Sequence, residues 1–213
     1  MFLSFLNQIK EKDCQGIIKM KKWKTLAIFL VFVLLAFYFG NFGFGKSEIR
    51  SSVQLGAAST KNATFKEGFC VYPDSKFGRI VAEELQNRGY KVSVIESPAE
   101  CNSQFLAVWV EGINTTYFPF MAKGSIKVKA VYSSLGKPDH YLKYLNATDK
   151  ERELITFVSN VNGEMQAYLV AYVTDSSKGL MGFRWYQEHL MEEAAKNLIN
   201  SIENARQRTN IKS

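Results

Sequence analysis

At 213 residues, with 46% hydrophobic and 22% charged side chains, the chain suits one folded domain plus accessory segments, and wholesale disorder is excluded. Its net charge of +7 invites a nucleic-acid reading, but the charge sits in the wrong place. Six lysines precede Thr25 against Glu11 and Asp13, whereas from Lys46 onward 21 Lys and Arg meet 18 Asp and Glu; a nucleic-acid-binding domain would carry the excess on itself, so no nucleic-acid partner is expected.

Residues 1–24 form a basic tail. Within it, Phe2, Leu3, Phe5, Leu6 and Ile9 suit a short amphipathic helix on a membrane surface, while Met20 offers an alternative start. Residues 25–45, TLAIFLVFVLLAFYFGNFGFG, carry no charge. About 20 such residues cross a hydrocarbon core of roughly 30 Å, so the run predicts a transmembrane helix in contact with lipid. Trp23 and Tyr38 stand near its two ends, where amphipathic rings favour the interface. The lysine-rich flank predicts a cytoplasmic amino terminus in the plasma membrane and an exported remainder. The alternative is a cleaved signal with Met20 to Lys24 as its charged start and Gly43-Phe-Gly45 as its cleavage site, giving a secreted product.

Residues 46–67 are rich in Ser, Ala, Lys and Gly without apolar period, which predicts a spacer. The expected domain runs over 68–207, with 208–213 as a tail. Phe69 to Tyr72 reads as a strand, and Asp74 or Ser75 can cap a helix carrying Phe77, Ile80, Val81 and Leu85, with Gly89 ending it. Tyr90 to Ile95 alternates as the next strand, completing a βαβ unit with parallel strands. Phe105 to Val110 and Ile126 to Tyr132 follow as strands. Leu154 to Val158 and Met165 to Thr174 flank a hairpin turn at Asn160-Val-Asn-Gly163. A closing helix over about Trp185 to Gln207 carries the stripe Tyr186, Leu190, Ala194, Leu198, Ile202 and Ala205. Glu192 and Lys196, four apart, add a charge pair on its wet side.

The order β-α-β-β-β-β-β-α predicts an α+β two-layer sandwich, a mixed sheet of about five strands with both helices on one face. The opening FCVYPDSKFGRIVAEELQNRGYKVSVIE and the close AAKNLINSI resemble, in element order, the TolB amino-terminal and CsgG-like modules of envelope assembly. That resemblance implies fold and carries no functional residues across.

No catalytic residue, cofactor or metal site is expected. His189-Leu-Met-Glu192-Glu193 has no second histidine and so misses the zinc patterns, and His140 stands in a turn-rich stretch. Ser134-Leu-Gly-Lys137 matches S-x-x-K but reads as a loop ending at Pro138 rather than the start of a helix. Cys70 and Cys101 lie in the exported part, where a disulfide persists; two separate buried thiols are the other reading. Asn62, Asn114 and Asn146 begin N-x-T acceptors for glycosylation, all placed in expected loops or spacer. Tyr117, Phe118, Phe120 and Met121 crowd a connection around Pro119, either as a contact patch for a protein partner or the outer leaflet, or as a loop folded over the core. Together these features suggest a membrane-anchored extracytoplasmic binding or envelope-assembly module; the alternative is an exported hydrolase with an unmarked serine nucleophile.

Overall fold

The computed structural model describes residues 25–59, 63–149 and 163–211. Over these it is α+β, with a mixed sheet of six strands and four helices. Helix α1 covers 25–39. Then come β1 (Gly43–Ser59), β2 (Phe69–Tyr72), α2 (Lys76–Asn87), β3 (Val92–Val94) and a short 3-10 turn at Pro98–Glu100. They are followed by β4 (Gln104–Phe118), β5 (Met121–Ser133), α3 (Asp139–Asn146), β6 (Met165–Met181) and α4 (Phe183–Ile211). The expected strand at 154–158 and turn residues 160–162 lie outside the described residues.

The expected βαβ unit forms. Ser75 caps α2, its hydroxyl accepting from the Gly78 amide at 3.0 Å, and Gly89 leaves the helix at φ 87°, a region open to glycine without a Cβ penalty. Strand β2 then lies between β3 and β4, parallel to both. The rest of the sheet is antiparallel, in the order β1-β6-β5-β4-β2-β3.

Helices α2 and α4 cover one face, as the element order predicts. Every residue of the α4 stripe is buried, from Tyr186, Leu190, Ala194 and Leu198 to Ile202 and Ala205. They meet Leu106 and Val108 of β4, Ile126 and Val128 of β5, and Leu169 and Ala171 of β6 in one core. A fully buried side chain of this size stabilises by about 1.5–3 kcal/mol, so this face supplies most of the apolar driving force.

Four features depart from the sequence reading. Helix α1 takes up fifteen of the 21 apolar residues, and 43–45 belong to β1. Among the described residues no helix is long and apolar enough to cross a membrane. The stretch expected as spacer is in large part a strand, since β1 pairs with β6 along its whole length, from Gly43 opposite Met181 to Ser59 opposite Met165. The other face of the sheet is partly covered too: Tyr141 of α3 packs on Phe105, Tyr72 and Trp109, with ring centroids 5.4–6.1 Å apart, forming a smaller second core. Finally, Lys196 pairs with Glu193 at 2.7 Å rather than with Glu192.

Candidate functional site

The four residues singled out around Pro119 lie at one end of the sheet, and they are not a loop folded over the core. Strand β4 continues through Phe118 and β5 restarts at Met121, leaving Pro119 and Phe120 as a two-residue hairpin turn. Thr115, Thr116, Tyr117 and Phe118 are β-favouring residues, and pairing with β5 holds them in the ladder despite the proline next to them. Strand β6 accepts the turn from the side, with the Gly179 and Met181 amides donating to the carbonyls of Phe120 and Pro119 at 3.0 and 3.1 Å. Phe120 is therefore fixed by its backbone while the residue remains 69% exposed.

The end of α1 docks on the same turn. Phe37 meets Phe120 at 6.4 Å between centroids, and Tyr38 stacks on Phe183 at 5.2 Å. Tyr117 turns inward between them. Its phenol donates to the Met181 carbonyl at 2.6 Å with the Phe37 carbonyl 3.2 Å away, and burial pushes its pKa upward. Gly182 makes the approach possible: a Cβ there would sit 1.9 Å from the Gly40 carbonyl oxygen. The product is an aromatic collar around the junction of α1, β1, the β4–β5 turn and the start of α4. Phe39, Phe44, Phe118 and Phe120 are all more than half exposed. Of the four predicted residues, Phe118, Phe120 and Met121 face outward and Tyr117 braces the collar from within.

Strand register arranges what lies beyond the collar. On the sheet face away from α4, Phe44 stands opposite Leu180. Two residues further along, Lys46, Lys178, Met121 and Phe118 form one row. Glu48, Ser176, Lys123 and Thr116 form the next, and Arg50, Thr174, Ser125 and Asn114 the one after. The last two rows line a shallow polar groove. From the end of the molecule upward the chemistry therefore changes from aromatic, through a row that mixes two lysines with Met121 and Phe118, to a groove of charged and polar side chains.

The remaining predicted residues are scattered. Cys70 and Cys101 are joined by a disulfide, Cα atoms 5.7 Å apart, at the edge of the second core. Asn114 is exposed but lies within β4, and Asn146 is the exposed last residue of α3; neither is in a loop as expected, and Asn62 lies outside the described residues. Ser134 is buried, its hydroxyl accepting from the Met165 amide at 2.9 Å, while Lys137 reaches Glu164 at 3.8 Å. That serine satisfies a backbone donor between β5 and β6, and the ion pair of Lys137 is with Glu164. No group of three or more metal-ligating side chains occurs among the described residues.

Sequence reasoning missed a polar cluster under the amino-terminal half of α4. The buried Asp175 carboxylate accepts from Ser47 and, at 2.6 Å, from Ser177, and Ser47 Oγ stands 3.1 Å from His189 Nε2. Four residues further along β1 on the same face, Ser51 donates to Asn197 at 2.7 Å. A serine nucleophile needs its histidine oriented by the carboxylate, whereas here the carboxylate holds the serine itself. The cluster latches β1 to β6 and α4. Its members are 128 and 142 residues apart in sequence, so no local spacing signals it.

Comparison with protein-family models returns no match, and comparison with curated proteins returns none either.

Proposed function

We propose that this protein is a single-pass, membrane-anchored module whose domain lies outside the cytoplasm and serves binding or assembly at the cell envelope. The observation that carries the reading is the surface of α1. Ile28, Phe29, Leu30, Val31, Phe32 and Leu34 are successive or near-successive residues, so they point around the whole helix, and each is more than half exposed. A helix apolar on every side has no face for water and requires an apolar surround. The Lys-rich segment before it orients the amino terminus inward by the positive-inside rule. The polar groove around Arg50, Asn114 and Thr174 is the surface that such an anchor would hold out toward a protein partner.

The test is extraction of membranes from cells making the full chain. Alkaline carbonate should leave the protein in the pellet. The double substitution Leu30→Lys/Leu34→Lys places two charges mid-helix, each costing about 2.5–3.5 kcal/mol on insertion scales, and should release it to the supernatant. Release of the unsubstituted chain by carbonate would overturn the anchor.

A further inference from the structure

We infer that the aromatic collar is seated in lipid, with the β4–β5 turn inserted into the outer leaflet and Lys46 and Lys178 at the level of the lipid phosphates. This rests on the anchored reading and adds to it the partner of the patch and the pose of the domain.

The first argument is length. The fifteen residues of α1 rise about 22 Å, against a hydrocarbon core of roughly 30 Å. The last charged residue before the apolar run in the sequence is Lys24, so an apolar span counted from Thr25 leaves the outward end of α1 about 8 Å short of the far boundary. Whatever is fixed to that end lies at that depth. The hairpin turn is fixed to it, through Phe37 on Phe120 and the Tyr117 phenol beside the Phe37 carbonyl. So is the start of α4, through Tyr38 on Phe183 and the Gly182 amide donating to Phe42 at 2.7 Å. Interfacial elements bury their apolar faces by about 5–10 Å, which matches the shortfall.

The second argument is the order of the rows. Phe44 and Leu180 are nearest the α1 junction, with Phe120 at the hairpin turn, all outward-facing and apolar, and Phe118 shares the next row with the lysines. The lysine pair follows two residues along the strands, about 7 Å away. Four residues on from Phe118, or about 13 Å, Asn114 faces the polar groove. Apolar residues, then lysines interleaved with Met121 and Phe118, then a groove of charged and polar residues around Glu48, Arg50 and Lys123 is the sequence of environments met on leaving a bilayer whose phosphates are anionic. A protein-docking patch has no need for that layering along one axis.

The experiment uses the full chain in vesicles of phosphatidylcholine and phosphatidylglycerol, carrying Cys14→Ser so that a nitroxide attaches only at a chosen site. Labels are placed by Phe120→Cys at the turn, Thr115→Cys further up β4 and Leu30→Cys in α1. Collisions with oxygen, which partitions into lipid, are compared with those of a water-soluble nickel chelate. The inference predicts oxygen dominance at 120 and 30 and chelate dominance at 115. Chelate dominance at 120 with oxygen dominance at 30 would overturn the seating and leave the anchor standing. A label at 120 that is immobile and closed to both reagents would show protein cover, and would overturn it as well. Chelate dominance at 30 would overturn the anchor and the seating together. Phe120→Cys gives up the Phe37–Phe120 ring contact but keeps the Tyr117 tether to the Phe37 carbonyl. Phe120 is exposed, so the core is untouched, and persistence of the Cys70–Cys101 bond on mass analysis checks the fold.

Discussion

Cys70 belongs to a short strand with parallel neighbours on both sides, and its partner reaches it from the segment between the 3-10 turn and β4. The bond closes a loop across a sequence separation of 31 residues, which on the chain-entropy model stabilises by about 3–4 kcal/mol. Unreduced, denatured protein should therefore offer only Cys14 to an alkylating reagent, and reduction should lower the melting temperature. Three alkylated cysteines without reduction would contradict the bond. Glu188 makes a second residue-level prediction. Lys76, at 2.7 Å, holds its carboxyl below the usual carboxylate range; burial acts against this and Arg184 adds to it. A depressed carboxylate contributes stability above its unfolded pKa, and that contribution is lost as pH falls through the folded one. Unfolding free energy should thus decline below about pH 4.3, and Glu188→Gln should flatten that decline. The Lys76 side chain is half exposed, so the effect is modest and salt reduces it further. Urea unfolding across the acid range checks both points; identical acid slopes in the two proteins would contradict the pairing.

Helix α4 is the element that holds the sheet. Leu198 is fully buried mid-stripe, and Leu198→Ala should leave a cavity costing about 2–5 kcal/mol. Glu192→Ala, on the exposed side, should change stability by about 0.5 kcal/mol or less. Denaturant unfolding separates them, and equal stabilities would mean that α4 does not cover the sheet. This helix was legible in the sequence because its apolar residues recur in steps of four and three over many turns. Strand β1 was not legible. It is an edge strand that meets α4 through Ser47 and Ser51, so KSEIRSSVQLGAAS shows no alternation of apolar and polar residues. The hairpin turn was hidden for a different reason. Its central residues are Pro119 and Phe120 rather than the Asn-Gly type that announces a two-residue connection, and only pairing with β5 and β6 reveals it. The four collar residues could be picked out by their crowding, but not their neighbours, because α1, β1 and α4 reach the same place from distant parts of the chain.

At the scale of the whole molecule, the parts form an axis. An apolar helix leads into an aromatic collar, then a basic row, then a sheet whose far end holds the βαβ unit and the disulfide. Long strands β1, β6, β5 and β4 run along that axis, which carries the polar groove and the second core away from the helix. The disulfide, the positive flank and the all-round apolar helix each suit a domain on the oxidising side of a membrane. Protease added to intact cells whose chain carries a carboxyl-terminal epitope tests that arrangement most directly. The tag and the domain should be lost, leaving a short membrane-bound fragment that begins at the amino terminus and ends beyond α1. Full protection of the tag until the membrane is dissolved by detergent would contradict it.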